Sequence, residues 1–496
     1  MKKSGKALTL FLSVLALAAL LGAFSLSRHN ADPNKPRLIL YCAANMQPQM
    51  NAIIPAYEKE FGVTVQAQYG GSGQLLSNLE VSRRGDLFLA ADTSYITLAR
   101  QKNLIAEVFP LARMRPVILV PKGNPKKLQS VDDLLKEDVR VALANPDQAA
   151  IGQTIRRLLS KSGQWDALAK HAAVLKPTVN DLANDVKLGS ADAAIVWDTT
   201  ARQYPDLDAV PSPVFDQAVQ DVTLAVLCSS EQPSAAIRFA RYVNSPEHGQ
   251  QTFKKDGYEL IEGDTWAPQP EIVFYSGAVN RTAIDHTIAQ FEQREGCRVN
   301  RIYNGCGILV SQMKTQQKPD AYLACDISYV PPVADLFLEP KMISETAIII
   351  AVPKGNPKGV QGLNDLIKEG VRVGLANPPQ STLGALTKTM LEEAGLYEKL
   401  LNNVRTQTPT ADVLVNQAVL GTLDAVIVYE ANVSQVRDKL DIIRIPSRKA
   451  VQPFAIGKQS SHKRLVERLR NAICSDVSRK HYESLGFQWR AEGAGK

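Results

Sequence analysis

The sequence is poor in the groups that metal sites and nucleophilic catalysis use. Six histidines (His29, His171, His248, His286, His462, His481) are scattered over 496 residues, mostly on polar helix-like stretches, and none sits beside a candidate nucleophile. This argues against an acid–base or nucleophilic enzyme. The six cysteines (Cys42, Cys228, Cys297, Cys306, Cys325, Cys474) follow no zinc-ligand spacing. Cys42 and Cys228 fall in apolar strand-like runs and read as small buried hydrophobes. The set reads as free thiols, with Cys306–Cys325 or Cys306–Cys297 the pairing to test in an oxidising compartment. No cysteine precedes Cys42, which argues against a lipid-anchored lipoprotein. A long Lys/Arg block is also missing. The formal charge is +7, but Lys2, Lys3 and Lys6 cluster at the N-terminus and the remainder is spread thinly. That excludes the basic stripe a nucleic-acid-binding protein needs.

What is present is globular composition, 45% hydrophobic and 22% charged, over a length that exceeds one ordinary core. The first residues, MKKSGK, precede an uncharged run from Ala7 to Phe24. A basic flank before an apolar stretch is an export signal, and this stretch is slightly short of the about 20 residues of a spanning helix. Ala23-Phe24-Ser25 offers a small-x-small cleavage site. Residues 1–27 therefore read as a signal peptide or an N-terminal anchor (7–26). Either places the rest in the periplasm or otherwise outside the cytoplasm.

Beyond it the chain repeats itself. VPKGNPKKLQSVDDLLKEDVRVALANP at 120–146 returns as VPKGNPKGVQGLNDLIKEGVRVGLANP at 352–378, and ADAAIVW at 191–197 as LDAVIVY at 423–429. YGGSG at 69–73 returns as YNGCG at 303–307. So long a period means a duplicated domain rather than a solenoid. The copies span 36–264 and 270–490, with the seam in the polar, proline-bearing Gly263–Pro270.

Within each copy, short β-rich runs such as LILY, LFLAA and AAIVW alternate with segments of helical periodicity such as GQLLSNLEVSRR. This order predicts an α/β fold with largely parallel sheets, whose ligands bind at the carboxyl ends of strands where helices begin. Three strand-to-helix turns have that design: CAANMQPQM, YGGSGQL and NPDQAAIGQTIRR. Glycines at 70, 71 and 73 permit close backbone approach. The helix starting near Gln74 offers N–H groups to an anion, and Ser72 adds a hydroxyl that serves either the anion or the helix as a cap.

These pieces together (YCAAN, GGSGQL, GDLFLAAD, VPKGNP, ANP…G and ADAAIVW) resemble the periplasmic molybdate-binding proteins, type II solute-binding receptors of ABC transporters. The resemblance covers nearly everything from Arg37 onward, twice. It implies two tandem modules, each of two α/β lobes with a central mostly parallel sheet and a ligand cleft between them. It also implies a tetrahedral oxyanion held by hydroxyls, backbone amides and a tyrosine. Those positions fall on Asn45, Ser72, Ile151, Val179 and Trp197 in the first copy. In the second they fall on Val279 (or Asn280), Cys306, Leu383, Ala411 and Tyr429.

Because Cys306 and Val279 are poor donors, the second site is expected to be altered or degenerate. The implied protein is a non-catalytic, cofactor-free monomer that delivers a small oxyanion such as molybdate to a membrane permease. Sulfate, phosphate, tungstate and ferric iron are alternative ligands, iron being disfavoured by the lack of clustered tyrosines and acids at the turns. An anchored sensor or scaffold, or an enzyme on the same fold, are the other readings. Asp92 and Asp326 recur in both copies as candidate acid–base residues or, structurally, as helix-start hydrogen-bond acceptors.

Overall fold

The computed structural model describes residues 36–315 and 318–491, so the candidate signal or anchor lies outside the described residues. Among the described residues no helix is long and apolar enough to cross a membrane.

The first copy holds two sheets. One runs in spatial order β11 (Glu259–Leu260), β4 (Ile105–Met114), β10 (Gln220–Leu227), β3 (Leu87–Ala90), β1 (Arg37–Ala43), β2 (Thr64–Gly70). The other runs β7 (Val174–Lys176), β6 (Val141–Ala144), β8 (Ala193–Trp197), β5 (Pro116–Pro121), β9 (Leu207–Val210). The parallel pairs β1–β2, β1–β3, β6–β7 and β6–β8 carry the site turns. Where the chain passes between lobes and returns, pairing is antiparallel. Every residue of β3 and β8 is buried, as expected of strands covered on both faces. The helix Gln47–Phe61 buries Met50, Ile53, Ile54 and Tyr57, the spacing of a single helical face, and stops at Gly62, whose φ of 65° suits glycine.

The second copy repeats this plan with one change at the hinge. In the first, the two crossings between lobes are broken: β4 and β5 meet at Arg115, and the 3₁₀ turn Pro213–Ala218 separates β9 from β10. In the second, each crossing is a single strand, β15 (Lys341–Pro353) and β19 (Leu440–Ile456), antiparallel from Lys341↔Phe454 to Pro353↔Leu440. One nine-stranded sheet therefore runs through both lobes, in order β13 (Arg298–Asn304), β12 (Glu271–Gly277), β14 (Ala321–Leu323), β19, β15, β18 (Ala425–Tyr429), β16 (Val373–Ala376), β17 (Val404–Thr408), with β20 (Gln488–Trp489) on β15. The buried Glu345 ties this ribbon to Lys449 at 2.9 Å and to Arg490 at 2.6 Å.

The seam is irregular but fastened. The Asp264 carboxylate accepts the N–H groups of Arg464 and Leu465 at 2.8 Å each, at the start of the helix Lys463–Ile473, and Trp266 packs edge-on against Phe61 and Tyr242. One cysteine differs from expectation. Cys228 is exposed, because β10 ends at Leu227 and the chain turns to the surface there.

Candidate functional site

In the first copy, three helices begin where strand ends of the two lobes face each other. Asn45 lies in the 3₁₀ turn after β1, and Ser72 opens the helix Ser72–Ser82 after β2. From the other lobe come Ile151 in the first turn of Ala150–Ser160, Val179 at the start of Val179–Lys187, and Trp197 at the end of β8. All five line one small cavity, together with Ala43, Ala44, Gly70, Gly71, Ala91, Ala149, Ala150 and Thr178. None of these lining residues carries a charge, so the cavity presents dipoles only.

The hydrogen bonds around the cavity decide which donors remain for a ligand. Ser72 does not cap its helix; Gly71 is the cap residue. Instead Ser72 Oγ accepts the N–H of Ala91 at 3.2 Å, which occupies a lone pair and leaves the hydroxyl proton to donate. Thr178 Oγ1 accepts the N–H of Asp181 at 3.2 Å, so the Val179 N–H stays unclaimed by the cap. First-turn N–H groups have no intrahelical acceptor, which makes those of Ile151 and Val179 natural anion donors. The helix start near Gln74 is used differently from expectation. The N–H groups of Gly73 and Gln74 donate to Gln148 O of the opposite lobe, at 2.9 and 3.3 Å. They latch the lobes together and are not free for an anion.

The lobes are in fact shut on each other. A Cβ on Gly71 would stand 2.3 Å from Gln148 O and 2.5 Å from Pro177 O. Asp92 accepts the Ser94 N–H at 2.6 Å as a helix cap and the Thr154 hydroxyl of the other lobe at 2.6 Å. Ser94 and Gln153 add a second cross-lobe bond at 2.6 Å. Asp92 therefore acts as a cap and interlobe fastener, and Asp326 caps Ser328 at 3.0 Å in the second copy while accepting Val451 N–H.

The second copy forms a corresponding small cavity, lined by Val279, Leu383, Ala411 and Tyr429 among others. Asn280 is turned into the fold, where its amide donates to Leu323 O and Ala324 O, so Val279 is the equivalent of Asn45. Cys306 lies fully buried behind Cys325, which does line the cavity. Cys306 Sγ accepts the Cys325 N–H at 3.1 Å, as Ser72 does for Ala91. The Tyr429 hydroxyl is buried without a hydrogen-bond partner, and burial holds it well above the ordinary phenol range, so it stays a proton donor. The sequence reading missed Asn304, Ser381 and Asn432, polar residues of this lining where the first copy has Gly70, Ala149 and Thr200. Placing the two turns side by side exposes the Gly70/Asn304 exchange; the others needed the lobes assembled.

The chain matches the family described as bacterial extracellular solute-binding proteins over residues 38–259 and again over 272–488. It is 29% identical over 222 residues to a putative binding protein of Haemophilus influenzae, covering 45% of this chain and 90% of that one. It is 24% identical over 239 residues to the molybdate-binding protein ModA of Escherichia coli, covering 47% and 92%. Among solved structures it is similar to the periplasmic molybdate-binding protein of Azotobacter vinelandii, at 17% identity and a TM-score of 0.40, over 45% of this chain and 100% of that one. Two matches to one family profile, laid end to end over the same α/β plan, establish that this chain is a tandem member of the bacterial extracellular solute-binding proteins.

Proposed function

We propose that the first module is the extracytoplasmic receptor for an unprotonated tetrahedral oxyanion of the molybdate type, which it delivers to an ABC permease without catalysis. The observation that carries this reading is the uncharged cavity into which Asn45, Ser72, Ile151, Val179 and Trp197 converge from both lobes. A cation finds no carboxylate or phenol there, which sets ferric iron aside. The Trp197 indole can only donate, which favours an anion carrying no proton over hydrogen phosphate. Relatives bearing the name molybdate-binding protein, at 24–26% identity, support the same ligand class. No charged group is needed to neutralise the ion, because fixed dipoles closing around it replace its water and closure is driven by contacts made in the shut form alone.

The test is isothermal titration of the intact chain with molybdate, tungstate, sulfate and phosphate. Ser72→Ala and Asn45→Ala should each weaken molybdate binding roughly ten- to a hundredfold, the value of one hydrogen bond to an ion. Melting temperature without ligand should stay near that of the parent for Asn45→Ala and fall modestly for Ser72→Ala, which leaves the buried Ala91 N–H without its acceptor. Unchanged affinity in both variants would place the ligand elsewhere.

A further inference from the structure

The second cavity rests on a feature that the first lacks altogether. Beneath it, Cys306 Sγ and Cys325 Sγ lie 2.9 Å apart, both buried, with Cys325 forming part of the cavity wall. In the first module the equivalent residues are Ser72 and Ala91. A third position differs with them. Where β1 ends in Ala43, β12 ends in Gly277, and a Cβ there would stand 2.2 Å from Cys325 Sγ and 3.2 Å from Cys306 Sγ. The missing methyl is the space that the Cys325 thiol occupies, so the fold has made room for two sulfurs side by side.

The geometry points to Cys306 and Cys325 as an oxidisable dithiol that closes to a disulfide when a hydroperoxide enters the second cleft. Two sulfurs 2.9 Å apart need only a small movement to reach the about 2.05 Å of an S–S bond. Cys325 lines the cavity and Cys306 lies fully buried behind it, so Cys325 is the sulfur that a peroxide in the cleft meets. Burial raises the Cys306 thiol, but its neighbours, Cys325 first among them, outweigh that and draw it below its ordinary range. The Cys325 thiol is held well above its ordinary range by its contact with Cys306 and by burial.

The reaction balances without a further reagent. One thiol of the pair gives up its proton as its sulfur attacks a peroxide oxygen; the O–O bond breaks, and the released oxygen takes that proton and leaves as water or an alcohol. The sulfenic acid that remains is attacked by the second sulfur; the S–O bond breaks, S–S forms, and the hydroxyl departs as water with the second thiol's proton. Two electrons pass from the sulfurs to the peroxide.

The experiment reduces the full chain, removes the reductant, adds stoichiometric hydrogen peroxide, then denatures in an alkylating reagent and maps peptides by mass spectrometry. A Cys228→Ser background removes the exposed thiol that would join two chains. The expected result is joint loss of Cys306 and Cys325 from the alkylated pool, one peptide pair linking them, and full return with dithiothreitol. Cys42, Cys297 and Cys474 should remain alkylatable. Gly277→Ala should slow the cross-link at least tenfold by pushing Cys325 aside; the parental cross-link remains decisive should that variant fold poorly. Persistent alkylation of both thiols, a link from either one to another cysteine, or separate oxidation to sulfinic acids with no link would overturn the assignment.

Discussion

Gly71→Ala is expected to abolish molybdate binding by the first module while leaving the fold of both lobes intact. The backbone at Gly71 has φ −68° and ψ 143°, an extended conformation that alanine adopts freely, so no local strain arises. The obstacle is across the cleft. The new methyl would stand 2.3 Å from Gln148 O and 2.5 Å from Pro177 O, backbone atoms of the facing lobe that cannot rotate away. With the lobes apart the clash vanishes, so the variant is held open. Gly73 and Gln74 then lose their shared acceptor, Gln148 O. Apparent affinity falls in proportion to the closed fraction, and a loss of at least about a hundredfold is expected. Isothermal titration gives the affinity, and far-ultraviolet circular dichroism with small-angle scattering separates an open molecule from an unfolded one. Parental affinity in this variant would show that the shut form is not the binding form. Gly305→Ala, facing Gln380 O at 2.3 Å and Pro409 O at 2.7 Å, places the same wedge in the second cleft and should leave molybdate binding by the first unchanged.

The asymmetry between the modules follows from the same geometry. The first closes through polar cross-lobe bonds, Asp92 to Thr154 and Ser94 to Gln153, on crossings interrupted at Arg115 and at Pro213–Ala218. The second has two long paired strands in place of those interruptions, and their ladder shifts register between Met342 and Ser344 and again between Ala347 and Ile349.

The parts legible in the sequence were those whose cause is local. Ala193–Trp197 reads as a buried strand because five apolar residues in a row between turns have few alternatives, and the structure has that strand with those bounds. The periodicity of GQLLSNLEVSRR likewise yields the helix Ser72–Ser82. β4 escaped notice, since Ile105–Met114 mixes Glu107, Pro110 and Arg113 into its run and is held as a strand by β10, more than a hundred residues away. The same limit applies at the site. Ser72 could be placed on a turn, yet whether its hydroxyl caps a helix or faces a cavity depends on Ala91, and the fate of the Gly73 N–H depends on a carbonyl of another lobe. Burial of Cys228 was misjudged because its run ends one residue early, where the chain leaves the sheet.

Glu295→Ala is expected to cost the second module about 3–5 kcal/mol, the effect of leaving a buried charge without its partner. Glu295 ends the helix Arg281–Glu295 and is buried, as is Arg468 on Lys463–Ile473; two parallel bonds of 2.7 and 2.9 Å join carboxylate to guanidinium. The guanidinium carbon also lies 4.3 Å from the Phe109 ring centroid, and Arg241 donates to Glu295 O at 2.9 Å, so the pair sits where the two modules meet. Truncating Glu295 leaves Arg468 against the Phe109 ring without its hydrogen-bonded carboxylate, with Asp264 and Glu107 acting on it only through space. Water must enter or the modules must part at this point. Replacing both partners, Glu295→Met with Arg468→Met, removes the stranded charge and should recover most of the loss. Thermal melts of parent, single and double variants provide the comparison. A single variant within about 0.5 kcal/mol of the parent, the range of an ordinary surface substitution, would mean water already reaches the pair. A double variant no better than the single would mean that packing against Phe109, rather than charge, is what Arg468 contributes.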